Sequence, residues 1–101
     1  MSFIQIIEYR TSRLDEIREL SEKFQGTLEE SGLSGGPVRI TITQDRDKPG
    51  TYRTIVEFES YEVAMENSAR PQTSAWAEAF GQLVDGPPTF YNLDVVESIT
   101  P

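Results

Sequence analysis

The chain has 101 residues, 37% of them hydrophobic, no cysteine, no histidine and a formal charge of −8. That length and apolar share suit one domain over residues 1–101, with one core. Without thiols or imidazoles there can be no disulfide, no thiolate or imidazole metal site and no Ser-His or Cys-His pair; the acidic balance disfavours nucleic acid and anionic membranes as partners.

An all-carboxylate site for a hard cation is the one metal chemistry left open by composition. Asp45-Arg46-Asp47 does not supply it, because Lys48 follows and the distal Glu of a calcium loop is missing. That segment reads as a solvated hairpin tip, and neither a metal nor a cofactor is expected. No window is apolar for the roughly 18 residues of a membrane span. The start, Met1 to Gln5, lacks the features of a signal peptide. A cytoplasmic location is expected.

Ser2 to Tyr9 is apolar and rich in β-branched and aromatic residues, which predicts a strand. Ser12 with Asp15 three residues on approximates a capping box. Leu14, Ile17, Leu20, Phe24 and Leu28 then recur at helical spacing. Gly32 is placed to end that helix, and Gly35-Gly36-Pro37 to turn the chain. Val38, Ile40 and Ile42 alternate with Arg39, Thr41 and Thr43, the pattern of a half-buried strand. Asp47-Lys48-Pro49-Gly50 predicts a turn into an antiparallel partner strand, Thr51 to Phe58. Ser60 caps a short helix from Tyr61 to about Ser68. Arg70-Pro71 interrupts it, and a further helix runs to about Val84 with Trp76, Phe80, Leu83 and Val84 as its stripe. Asp85-Gly86-Pro87-Pro88 stops that helix, and Thr89 to Glu97 is the last strand.

The order is βαββαβ with the second helix broken, a ferredoxin-like α+β fold. Right-handed crossovers give the sheet order 4-1-3-2 with the helices on one face. The first strand is apolar on both sides, with Phe3, Ile7 and Tyr9 one way and Ile4 and Ile6 the other. The last strand has Tyr91, Leu93 and Val95 on one side and Phe90 and Val96 on the other. A face that apolar calls for a cover, and the few residues after the last strand are too short to provide it. A face-to-face homodimer is therefore expected.

The stretches Val56 to Ser68 and Asp85 to Val96 carry a resemblance to the dimeric α+β barrel superfamily, which includes the antibiotic-biosynthesis monooxygenases. The chain also looks like small uncharacterised actinobacterial proteins of that group. The resemblance implies a dimeric barrel and two alternatives of activity. One is a small-molecule binder that takes an aromatic or apolar ligand; the other is a cofactor-independent monooxygenase acting on an electron-rich polyphenol. The haem-degrading branch ligates iron through a histidine, which is absent here. The first-strand Asn of the oxygenases is also absent, and Gln5 is the only amide there. Trp76 matches the tryptophan those enzymes carry on the second helical segment.

From the residues themselves, the helix break predicts a pocket between the broken helix and the sheet. Trp76 would be its wall, with Tyr61, Met65, Asn67 and Phe80 as neighbours. Each residue has a plainer alternative. Trp76 could be a core anchor, and Asn67 with Ser68 the end of a helix. Arg39 and Arg53, grouped with Glu57, Asn92 and Asp94 on the open face, could line a polar cavity or an ion-paired dimer interface.

Overall fold

The structure, a computed structural model, describes residues 2–31 and 36–101. Its elements are β1 (Phe3–Arg10), α1 (Leu14–Ser31), β2 (Arg39–Gln44), β3 (Thr51–Phe58), α2 (Tyr61–Ser68), α3 (Pro71–Leu83) and β4 (Thr89–Asp94). One antiparallel sheet has the order β2-β3-β1-β4, which is the predicted order. This is the ferredoxin-like α+β fold. β4 stops three residues short of the expected Glu97, with one more ladder bond from Val95 N–H to the Ser2 carbonyl (3.0 Å). The proposed stop at Gly32 and the Gly35 part of the turn lie outside the described residues.

Local chemistry explains most of the boundaries. Just before α1, the Thr11 hydroxyl accepts from the Arg13 N–H (2.9 Å) and donates to the Leu83 carbonyl at the end of α3 (2.6 Å). Arg13 and Glu16 then pair across the first turn. At the hairpin, Thr51 N–H bonds the Lys48 carbonyl at 3.1 Å. Gly50 between them has φ +84°, the left-handed conformation that a type II turn needs after Pro49. The Ser60 hydroxyl accepts from Val63 N–H (3.2 Å) and caps α2.

The pairing register fixes the two faces. Phe3 opposes Phe58, Ile7 opposes Thr54, and Gln5 opposes Val56 on one side and Asn92 on the other. Odd positions of β1 and even positions of β3 therefore point under the helices. The core there is Phe3, Ile7, Tyr9, Val56 and Phe58 from the sheet, with Ile17, Ala64 and Phe80 from the helices. The other face carries Ile4, Ile6, Ile55, Tyr91 and Leu93, the last two 43% and 44% exposed.

This register corrects one grouping. Asn92 and Asp94 pair with Gln5 and Phe3 and so lie on the helix side, away from Arg39, Arg53 and Glu57. The Gln5 amide N–H donates to Asn92 Oδ1 at 3.1 Å, across the ladder. Both parities of β4 carry aromatic or aliphatic residues and all six of its residues are exposed, so its composition does not say which parity faces inward. Arg53 instead binds Glu8 and Asp45, each at 2.8 Å. Arg39 approaches Glu57 at 3.8 Å in an exposed pair.

Candidate functional site

The interruption of the second helical segment follows from Pro71. Proline lacks the N–H that would continue α2, and it forces the preceding residue out of helical geometry. Arg70 accordingly has φ −74° and ψ 141°. α2 ends with Ala69 N–H on the Met65 and Glu66 carbonyls (both 3.2 Å), and α3 restarts with Thr73 and Ser74 N–H on the Arg70 carbonyl (3.1 and 3.2 Å). The axis changes at Arg70, so the two helices cannot cover the sheet as one rod.

Beneath that break lies a partly enclosed cavity of about 70 Å³. Its floor is the sheet, including Phe3, Gln5, Thr54 and Val56. Its roof is formed by Met65, Asn67, Thr73 and Trp76. Trp76 is held rigidly from behind. It stacks on Phe80 with centroids 4.9 Å apart and planes 15° apart, and Phe24 of α1 meets it at 6.2 Å. Phe80 in turn stands edge-on to Tyr9 at 5.0 Å.

The cavity wall is uncharged among the described residues. Its polar groups divide into two sets. Thr54 Oγ1 is shared with the Tyr9 hydroxyl (2.8 Å), Ser68 Oγ donates to the Ala64 carbonyl (3.0 Å), and Gln5 is held by Asn92. Asn67 Oδ1 and Thr73 Oγ1 are buried with no hydrogen-bond partner among the described residues. Asn67 is only 6% exposed. A buried acceptor left unmade costs roughly 1–3 kcal/mol, so the roof at the helix break carries an uncompensated polar cost. Burial pushes the Tyr9 hydroxyl pKa up, with its bond to Thr54 acting against the shift.

Of the five residues singled out in the sequence, Trp76, Asn67 and Met65 line this cavity. Tyr61 and Phe80 do not. Tyr61 is 51% exposed and meets Phe3 edge-on at 5.4 Å. Phe80 is core, lying behind Trp76 where a ligand cannot reach it. Helical spacing placed both on the right face of their helices but could not say which layer each would occupy. Thr73 was missed, although its i, i+3 relation to Trp76 puts the two on one face. Gln5, Thr54 and the rest of the sheet floor were missed as well.

The cavity's wall residues Ser21, Pro37 and Ile40 also border an open groove of about 550 Å³ between α1 and β2. No group of three or more acidic side chains that could hold a metal ion occurs among the described residues. No helix among them is long and apolar enough to cross a membrane.

No protein-family model matches the chain, and no curated protein matches it in sequence. Solved structures match it closely in fold. A variant of SnoaB, described as a cofactor-independent oxygenase from Streptomyces nogalater, superposes with a TM-score of 0.79 at 15% identity, covering 99% of this chain and 98% of that one. A candidate antibiotic biosynthesis monooxygenase from Caulobacter crescentus CB15 gives 0.76 at 15% identity, covering 95% and 91%. A conserved protein from Methanosarcina mazei Go1 gives 0.73 at 9% identity, covering 92% and 91%. At such identities the likeness is one of fold. The chain has the fold of the antibiotic-biosynthesis-monooxygenase-like proteins.

Proposed function

We propose that the protein binds a small aromatic molecule in the cavity beneath the helix break, with one ring edge against Trp76. The observation that carries this is a partly enclosed hollow, uncharged among the described residues, that Trp76 walls and whose roof holds the buried Asn67 side chain. Binding sites are apolar hollows with a few placed polar groups. The preformed volume sets the mode. About 70 Å³ is roughly half of a cavity of ~150 Å³ that accepts benzene. A multi-ring ligand would insert one edge and extend through the mouth at Ser21, Pro37 and Ile40 into the groove beside β2. Trp76 is the sole tryptophan, so its fluorescence reports occupancy in a screen of aromatic ligands. By calorimetric titration, which needs no tryptophan, Trp76→Ala should abolish binding and Trp76→Phe should retain part of it. Unchanged affinity in Trp76→Ala would refute the assignment.

A second reading is favoured by the fold shared with a cofactor-independent oxygenase. An electron-rich polyphenol supplies its own electrons. A ring CH₂ tautomer and O₂ give a ring carbonyl and water, with no redox group from the protein. The chain would then bind, orient and shield the ring, which suits a wall uncharged among the described residues. Oxygen uptake with hydroxylated polycyclic substrates tests it. No uptake beyond the buffer rate across such a set would leave the binding function alone.

We also infer a homodimer through the open sheet face. Ile4, Ile6, Ile55, Tyr91 and Leu93 form one apolar surface there, and Val96 and Ile99 follow it exposed. Burying such area is favourable at about 25 cal/mol per Å². Light scattering at micromolar concentration should give twice the chain mass, and a monomer throughout that range would refute it.

A further inference from the structure

We infer that α2 is the lid of the cavity: it opens as a unit of its own while α1, α3 and the sheet stay folded, and this opening admits the ring. The gating role rests on the reading that the cavity holds a ring. The opening itself does not.

The closed hollow of about 70 Å³ takes a ring edge. Seating a whole ring, which needs ~150 Å³, requires one wall to yield. The floor is the sheet, in which β3 is paired on both sides by β1 and β2. Trp76 of α3 is backed by Phe80 and Phe24, and Phe80 by Tyr9. α3 also packs along α1. Its C-terminal end is tied down twice: the Leu83 carbonyl accepts from the Thr11 hydroxyl (2.6 Å), and Asp85 N–H donates to the Arg10 carbonyl (2.7 Å).

α2 is held more weakly. It packs lightly, chiefly on β3 and α3. Its buried side chains are Ala64 and Asn67, with Val63 partly buried against the core. Ala64 offers little apolar area, and Asn67 Oδ1 is buried without a partner among the described residues. Water reaches that oxygen once α2 lifts, so opening relieves a cost that closing imposes. Extended backbone bounds α2 at Ser60 (φ −155°, ψ 165°) and Arg70 (φ −74°, ψ 141°), so its movement need not spread to its neighbours. α2 is eight residues long, and isolated helices below about 12–15 residues are marginal in water. Lifting α2 therefore also melts it and exposes its amides. Opening of a lightly packed unit takes less free energy than global unfolding. α2 lies on the helix side of the sheet, so a dimer through the open face leaves it uncovered.

Amide hydrogen exchange of the full chain, measured by NMR over a series of low urea concentrations, tests the opening. The α2 amides from Met65 to Ser68 should be at least about tenfold less protected than those of Ile6 and Ile7 in the central strand, with little urea dependence. Equal protection and equal urea dependence would overturn the inference. Gating is tested with toluene, its exchange with the site followed by the NMR signal of the Trp76 indole N–H. Ser60→Ala removes the cap of α2 and changes no residue that lines the cavity. Losing an N-cap should raise the open population about fivefold. The association and dissociation rates of toluene should then both rise about fivefold with Kd unchanged, since the free and bound forms are both closed and both lose the cap. Unchanged rates in a variant whose α2 exchanges faster would overturn gating, because the ring would then enter through the groove mouth alone. The exchange profile of the unmodified protein decides the opening even if Ser60→Ala fails to fold. If toluene binds but α2 opens only with global unfolding, this inference alone falls. If α2 opens locally and calorimetry detects no binding of toluene or any other aromatic, the ring-binding reading falls and takes the gating role with it.

Discussion

Phe80 is the residue on which the position of Trp76 depends, and its removal gives a calculable test. Phe80 is 3% exposed, stacked on Trp76 at 4.9 Å and edge-on to Tyr9 at 5.0 Å. Truncating a buried Phe to Ala costs about 3–5 kcal/mol in general. Two ring pairs, each worth about 0.5–1.5 kcal/mol beyond area, place this site near about 4 kcal/mol. A domain of this size has about 5–15 kcal/mol in total, so Phe80→Ala should fold with little margin. At about 4–8 °C per kcal/mol, its midpoint should fall by roughly 20 °C. Phe80→Leu keeps most of the volume and loses the ring geometry, so about 1–1.5 kcal/mol is expected. Urea unfolding at fixed protein concentration, followed by Trp76 emission and far-ultraviolet circular dichroism, measures both. Fixed concentration matters because any self-association stabilises by mass action. The native emission of Trp76 should also shift, since its stacking partner is gone. A loss below about 2 kcal/mol in Phe80→Ala, or an unchanged native emission spectrum, would refute the claim that Phe80 anchors the cavity wall.

Asn67→Leu should stabilise the ligand-free protein by about 1 kcal/mol in the same assay, because it removes an unpartnered buried acceptor and fills adjoining space; a destabilised variant would mean that Asn67 has a structural partner. The Arg53 guanidinium, hydrogen-bonded to Asp45, holds that carboxyl below the usual range. Its folded pKa lies under its unfolded value of about 3.9, so the pair stabilises above that pH and the contribution is lost as the pH falls through the folded value. Thermal melts between pH 3 and 7 should therefore show a shallower acid limb in Asp45→Asn than in the unmodified chain, and parallel limbs would contradict the assignment. Tyr9, whose pKa burial raises, has the opposite sign: its contribution is complete below about pH 10 and lost as the pH rises through the folded value, so Tyr9→Phe should melt less steeply at alkaline pH. Ile55→Asp, on the open face opposite Ile6, should shift the mass seen by light scattering toward monomer.

The elements were readable because their signals are local. Alternation in Arg39 to Thr43, helical recurrence from Leu14 to Phe24, Gly50 in its turn and Pro71 at the break each act within a few residues, and the structure places elements there. The β1 pattern also carried long-range information: Ile4 and Ile6 opposite Phe3 and Ile7 implied two apolar faces and hence an uncovered one. β4 did not, since Phe90 of one parity and Tyr91 and Leu93 of the other are equally apolar. Its register came only from pairing with β1, which is why Asn92 and Asp94 were first grouped on the wrong side. Arg53 could by sequence pair with Glu57 or Asp94, whereas the register sets Glu8 opposite it and the hairpin end brings Asp45 to it.

The polar chemistry of the cavity is a different kind of property. Trp76, Met65 and Asn67 could be named because a proline-broken helix must leave space beneath it. Which of the polar side chains there remains unpaired depends on every other pairing around it. Thr54 looks as available in the sequence as Thr73, yet the Tyr9 hydroxyl occupies it. Ser68 looks as available as Asn67, yet it turns back to the Ala64 carbonyl. What stays unpaired is therefore what the fold leaves over after its own hydrogen bonds are made, and among the described residues this includes Asn67 Oδ1 and Thr73 Oγ1 on either side of Pro71. A substitution of Tyr9, which does not line the cavity but is bonded to its floor, would release Thr54 Oγ1 and make the floor more polar with every lining residue unchanged.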